Sequence, residues 1–115
     1  MSAEIELSDD QVVELAEMFR LMGDPSRLKI IAACLGAPMC VSDIAAKYGM
    51  SQPLVSHHLR LLRAARVLRS ERRGKQIFYE AADHHVKRVI GNMVEHVCEQ
   101  PSPEAADIDD ATRQE

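Results

Sequence analysis

Residues 40–68, "CVSDIAAKYGMSQPLVSHHLRLLRAARVL", hold two helical patterns separated by one tight turn. The first, within "CVSDIAAKYGM", is short and stops at Gly49, the residue type that takes up the left-handed conformation of a helix end at no steric cost. The second opens on Ser51, whose hydroxyl suits an N-cap. It tolerates Pro53 because N–H groups in a helix's first turn have no intrahelical partner to lose. Leu54, Val55, Leu59 and Leu62 are expected to pack inward, and Ser51, Gln52, Ser56, His57 and Arg60 to face out. A short helix, a glycine turn and a longer helix make a helix-turn-helix, whose longer helix enters the DNA major groove. His57 and His58 are adjacent and point to different sides of that helix, so only His57 is expected on the DNA side.

Upstream, Ser8 and Gln11 form a capping box ahead of "VVELAEMFRLMG", with Val12, Leu15, Phe19 and Met22 at helical spacing. Asp24 as N-cap and Pro25 at the first helical position open a second helix, with Leu28, Ile31 and Leu35 on one face and Gly36 at its end. Downstream the period changes. "LRSERRGKQIFYE" reads as a two-stranded hairpin turning at Gly74, and a last helix follows with Val86, Val89, Ile90, Met93 and Val97 on its apolar side. The fold class is therefore mainly α with a small β-hairpin: a winged helix-turn-helix over residues 8–100. A flexible arm over residues 1–7 and a disordered acidic tail over residues 101–115 are expected to flank it.

Net charge is −4, which argues against nucleic acid only if charge is spread evenly. It is not. Residues 1–24 hold seven acids and one base, residues 99–115 six acids and one base, and residues 51–75 seven bases and one acid. The basic stretch covers the longer helix and the hairpin, where Arg72, Arg73 and Lys75 can meet phosphate or an adjacent minor groove. Hydroxyl and amide groups on the helix can read base edges, and Arg60 can pair with guanine. Double-stranded DNA is thus the expected partner.

No apolar run approaches the ~18 to 20 residues of a membrane span, and the acidic N-terminus does not resemble a signal peptide, so a cytoplasmic location without membrane contact is expected. Cys34, Cys40 and Cys98 are widely spaced and odd in number, as free thiols would be. Neither a nucleophile elbow nor a phosphate loop is present, so no enzyme and no small-molecule substrate is expected.

Residues 83–99, "DHHVKRVIGNMVEHVCE", carry metal-ligand types at Asp83, His85, His96 and Glu99. Along a helix the two halves of this set lie about 16 Å apart, too far to share one ion. Either the set is incidental, or a second copy of the helix lies alongside.

In order and spacing, "LMGDPSRLKII", "CVSDIA", "SQPLVSHHLRLLRAARVL", "RRGKQIFYE" and "DHHV" resemble the ArsR/SmtB family of bacterial metal-responsive repressors, over about residues 10–100. The resemblance implies a homodimer that sits on an operator and leaves it when metal binds, derepressing genes for metal efflux or sequestration. It also implies the pattern D-x-H-x10-H-x2-E on the last helix, which Asp83, His85, His96 and Glu99 match. Antiparallel packing across a two-fold would then bring the Asp83–His85 end of one helix beside the His96–Glu99 end of its copy, giving two intersubunit sites. Two imidazoles and two carboxylates suit zinc, with cobalt second; nickel usually takes more donors. Affinity should fall as pH drops through the ordinary imidazole range, about 6.5, because the ligands must be neutral.

Through the resemblance, His96 is also implied to link its second ring nitrogen to backbone near Arg66. A second family site would use Cys40 and Asp43, but the arm before residue 24 holds no Cys or His to complete it. The alternative is a thiol- or persulfide-responsive repressor of the same fold, joining Cys34 to Cys98. Against it, Cys34 lies two residues beyond the corresponding helix position, about 200° around the helix.

Overall fold

A computed structural model describes residues 4–99. The expected arm lies outside it for residues 1–3, and the expected tail, residues 101–115, lies wholly outside it. Residues 4–7 are exposed and carry neither helix nor strand.

The chain runs α1 (Asp9–Met22), α2 (Pro25–Gly36), β1 (Met39–Cys40), α3 (Val41–Tyr48), α4 (Gln52–Ala64), β2 (Leu68–Arg73), β3 (Gln76–Ala81) and α5 (His84–Cys98). The helix starts follow from the capping residues. The Ser8 hydroxyl accepts from Gln11 N–H while the Gln11 side chain accepts from Ser8 N–H. Asp24 caps α2 through Arg27 N–H, Ser51 caps α4 through Leu54 N–H, and Asp83 caps α5 through Val86 N–H. Gly49 ends α3 at φ 65°, and Gly74, also at φ 65°, makes the hairpin turn between β2 and β3.

The sheet holds one strand more than the sequence suggested. Met39 pairs with Tyr79 and Cys40 with Phe78, so the order is β1-β3-β2, all antiparallel. A strand of two residues is too short to display a period of two, and it escapes pattern reading for that reason. Its effect is to tie the start of the helix-turn-helix to the wing.

The core gathers Ile30, Ile31 and Cys34 of α2, Ile44 of α3, Val55, Leu59 and Leu62 of α4, and Val67 and Leu68 at the hairpin entry. Two expected core positions are corrected. Leu28 and Leu54 are 44% and 43% exposed. The inner stripe of α4 is Val55, Leu59 and Leu62, spaced i, i+4, i+7, and Leu54 sits about 100° off it in the first turn. In α2 the inward face is phased one residue earlier, on Arg27, Ile30, Ile31 and Cys34, and Leu28 rotates out with it.

Candidate nucleic-acid interface and metal ligands

α4 is held from behind and open in front. Val55, Leu59 and Leu62 are fully buried, while Ser51, Gln52, His57 and Arg60 are exposed and Ser56 is half-buried. The wing presents Arg72, Arg73 and Lys75 to solvent. Between helix and wing lies a cleft of about 420 Å³ lined by Ser56, Arg60, Arg63, Lys75, Gln76 and Tyr79. Among the described residues Arg60, Arg63, Arg72 and Lys75 make no ion pair, so their charge is available to an anion. Arg69 and Arg73 are partly committed, to Glu80 and Glu71 at 3.5 Å each. Arg73 also lies over the Phe78 ring, 5.2 Å from its centre, which steadies the wing. Arg63, Gln76 and Tyr79 were not anticipated, because only the fold brings strand β3 against α4.

The two adjacent histidines separate as their helix positions require. His57 is exposed; His58 is 7% exposed, and its Nδ1 accepts a hydrogen bond from Arg27 Nε at 3.2 Å.

α4 leaves its last turn without glycine. Arg66 takes φ 62°, Arg66 N–H donates to Arg63 O, and Val67 N–H donates to Leu62 O at 2.9 Å. Arg66 extends to Glu14 of α1 in an ion pair. Val67 O then accepts from Ala82 N–H at 3.0 Å, so the exit of α4 is bonded to the residue just ahead of Asp83. A cavity of about 600 Å³ fills this corner, lined by Arg63, Arg66 and Arg69 on one side and Asp83 and His85 on the other. The end of the recognition helix and the start of α5 are therefore neighbours.

Of the four metal-ligand candidates, Asp83 and His85 stand together, with Asp83 Oδ1 3.7 Å from His85 Nδ1. The Val86 N–H, and then the neighbouring His85, hold the Asp83 carboxyl below the ordinary carboxylate value. His96 lies in the last turn of α5, and Glu99 is its C-cap. All four are exposed. Among the described residues, no group of three or more metal-ligand side chains comes together within one chain. Eleven residues of helix separate His85 from His96, about 16 Å of rise but only about 20° of rotation, so both lie on one face. Beside that face runs an uncovered apolar stripe, Val89, Met93 and Val97, at about 40°, 80° and 120° from His85. α1 continues it. Val12, Leu15 and Phe19 are exposed rather than buried in their own chain, and Leu15, Phe19, His85 and Val89 line one groove between α1 and α5.

The thiols differ in access. Cys34 is 2% exposed, and burial pushes its pKa up to about 12. Cys98 ends α5 and is exposed. Cys40 is buried, its Sγ 3.3 Å from Ser42 Oγ, while Asp43 is exposed. No described helix is long and apolar enough to cross a membrane.

Residues 24–70 match the model of the family described as "Bacterial regulatory protein, arsR family". The transcriptional repressor SmtB homolog of a Synechocystis strain is 38% identical over 93 residues, 81% of this chain and 70% of that one. The solution structure of the homodimeric winged helix-turn-helix domain of Mb0332 from Mycobacterium bovis superimposes with a TM-score of 0.76 at 20% identity, covering 89% of this chain and 94% of that one. The cadmium metal-sensor CmtR of Mycobacterium tuberculosis superimposes with a TM-score of 0.63 at 31% identity, covering 77% of this chain and 92% of that one. These likenesses agree with the winged helix-turn-helix described above, and the chain belongs to the arsR family of bacterial regulatory proteins.

Proposed function

We propose that this protein is a cytoplasmic, homodimeric, metal-responsive transcriptional repressor. In this reading α4 and the wing hold operator DNA, and zinc, or cobalt in its place, releases it by binding between the α5 helices of two copies. Genes for metal efflux or sequestration are the expected targets. The observation that supports the reading is two pairs of metal-ligand residue types at the two ends of one helix, both bordering an apolar stripe that the described residues leave exposed. Covering the stripe with a second α5, antiparallel, brings Asp83 and His85 of one copy to His96 and Glu99 of the other, and the two-fold makes two such sites.

The donor set fits the ion. Two imidazole nitrogens and two carboxylate oxygens meet the preferences of zinc, and Asp83 makes its cap bond to Val86 N–H through Oδ1. Filling all four positions with protein leaves no open site for a substrate, as suits a sensor rather than a hydrolase. Ser51, Gln52, Ser56, His57 and Arg60 would face the major groove, with Arg72, Arg73 and Lys75 at the flanking backbone.

Release requires a dimer geometry that favours zinc and disfavours DNA. By reciprocity DNA weakens zinc binding by the same factor. The route in this fold is the corner where Val67 O holds Ala82 N–H, since a shift at Asp83 is transmitted directly to the exit of α4. His96 of one copy would reach this corner of the other near Arg66.

The test is a gel shift on the chain's own promoter DNA with zinc, cobalt, nickel or persulfide added, for wild type and for a His85→Ala, His96→Ala double variant. Zinc should release wild type and leave the variant bound. Release of both by zinc, or release only by persulfide, would overturn the metal reading.

A further inference from the structure

His58 is the one buried polar or charged residue among the described residues, and it sits on the helix proposed to read DNA. Its surroundings are built. Arg27 Nε donates to His58 Nδ1 at 3.2 Å, Arg27 Nη1 reaches Leu21 O at 3.5 Å, and Arg27 N–H is held by Asp24 Oδ2 at 3.0 Å. One guanidinium thus joins the end of α1, the start of α2 and the middle of α4. Arginine has only donors, so His58 must offer a lone pair at Nδ1, and the ring must be neutral with its proton on Nε2.

We infer that the Arg27–His58 hydrogen bond is a positioning contact that sets α4 for DNA, and that protonating His58 breaks it and lowers operator affinity. This rests on the DNA-binding reading of α4 above. A second proton would go to Nδ1, turning an acceptor into a donor facing a donor and placing positive charge against positive charge. The ring would then have to turn within a packed site, taking with it the helix that carries His57 one residue earlier.

The charged groups acting on His58 are Arg27 and Asp24 of α2 and His57 of α4. Burial, first, and the Arg27 charge push the imidazole below its ordinary 6.5; Asp24 opposes them and His57 adds to them. Below 6.5 the unfolded chain takes up this proton before the folded one. Stability from this group is therefore complete above 6.5 and is lost as pH falls from there through the lowered folded value. Operator affinity should follow the same direction.

The comparison that isolates His58 is wild type against His58→Gln, whose side-chain oxygen can still accept from Arg27 but does not titrate. With a labelled duplex of the chain's own promoter at constant ionic strength, the ratio of wild-type to His58→Gln Kd should rise as pH falls from 8 to 5.5, one linked proton allowing at most about tenfold per pH unit. Urea denaturation at both pH values should show wild type losing stability relative to His58→Gln on acidification. Arg27→Lys, which lacks the Nε donor, should weaken binding at pH 8 and reduce the pH effect. Tight binding with a constant Kd ratio overturns the inference and leaves the DNA reading intact. Absence of binding by wild type at every pH overturns both. Equal pH dependence of stability in wild type and His58→Gln overturns the inference whatever the DNA result.

Discussion

Alkylation of the folded protein at pH 8 separates metal sensing from thiol sensing, because the thiol alternative needs Cys34 as a thiolate. A thiol with the ordinary value of 9.0 is about one-tenth thiolate at pH 8, whereas one at about 12 is about one part in ten thousand. Ionisation alone thus slows Cys34 about a thousandfold. Access slows it further, since Cys34 is 2% exposed among Ile30, Ile31 and their core neighbours. Reagent reaches it only when α2 opens. Cys98, exposed at the end of α5, has no such barrier. Iodoacetamide quenched at timed intervals and read by peptide mass spectrometry should label Cys98 at least about a thousand times faster than Cys34, with the difference abolished in urea. Labelling of Cys34 within about tenfold of Cys98 in the native state would refute the argument and restore the Cys34–Cys98 pair as a candidate sensor.

Leu59→Ala empties a fully buried site on the inner face of α4 and should cost about 2–5 kcal/mol in urea denaturation; less than about 1 kcal/mol would mean the core is not packed as described. Arg66→Gly relieves the left-handed backbone at the α4 exit and gives up only an exposed ion pair with Glu14, so its Tm should rise. A fall would show that the link to α1 outweighs the backbone strain. Asp83→Asn keeps a side-chain oxygen to accept from Val86 N–H but removes the charge. Helix content by circular dichroism should be unchanged while zinc affinity drops, and unchanged affinity would remove Asp83 from the ligand set.

Local chemistry made most of the fold legible. Ser8, Asp24 and Ser51 are capping residues before any partner is known, and Gly49 and Gly74 stop or turn the chain by their own conformational freedom. Features that depend on a contact across the chain leave no local signal. The inward face of α2 is not visible in its pattern because it includes Arg27, polar in sequence, and only its bond to His58, 31 positions away, shows why it turns inward. The helix stop at Arg66 carries no glycine signal, and β1 exists only because β3 passes beside it. Asp83 drew attention as a ligand but also caps its helix, so one carboxylate serves the start of α5 and the proposed ion together. The apolar pattern of α1 and α5 is the instructive case. Val12, Leu15, Phe19, Val89 and Met93 have the spacing of buried residues, yet the described residues leave them exposed. Among the described residues nothing buries them, and a second copy laid along α1 and α5 would reconcile their period with their exposure. The histidines at the border of that stripe meet the same condition, since their separation along α5 forbids a shared ion until a second helix supplies the missing half.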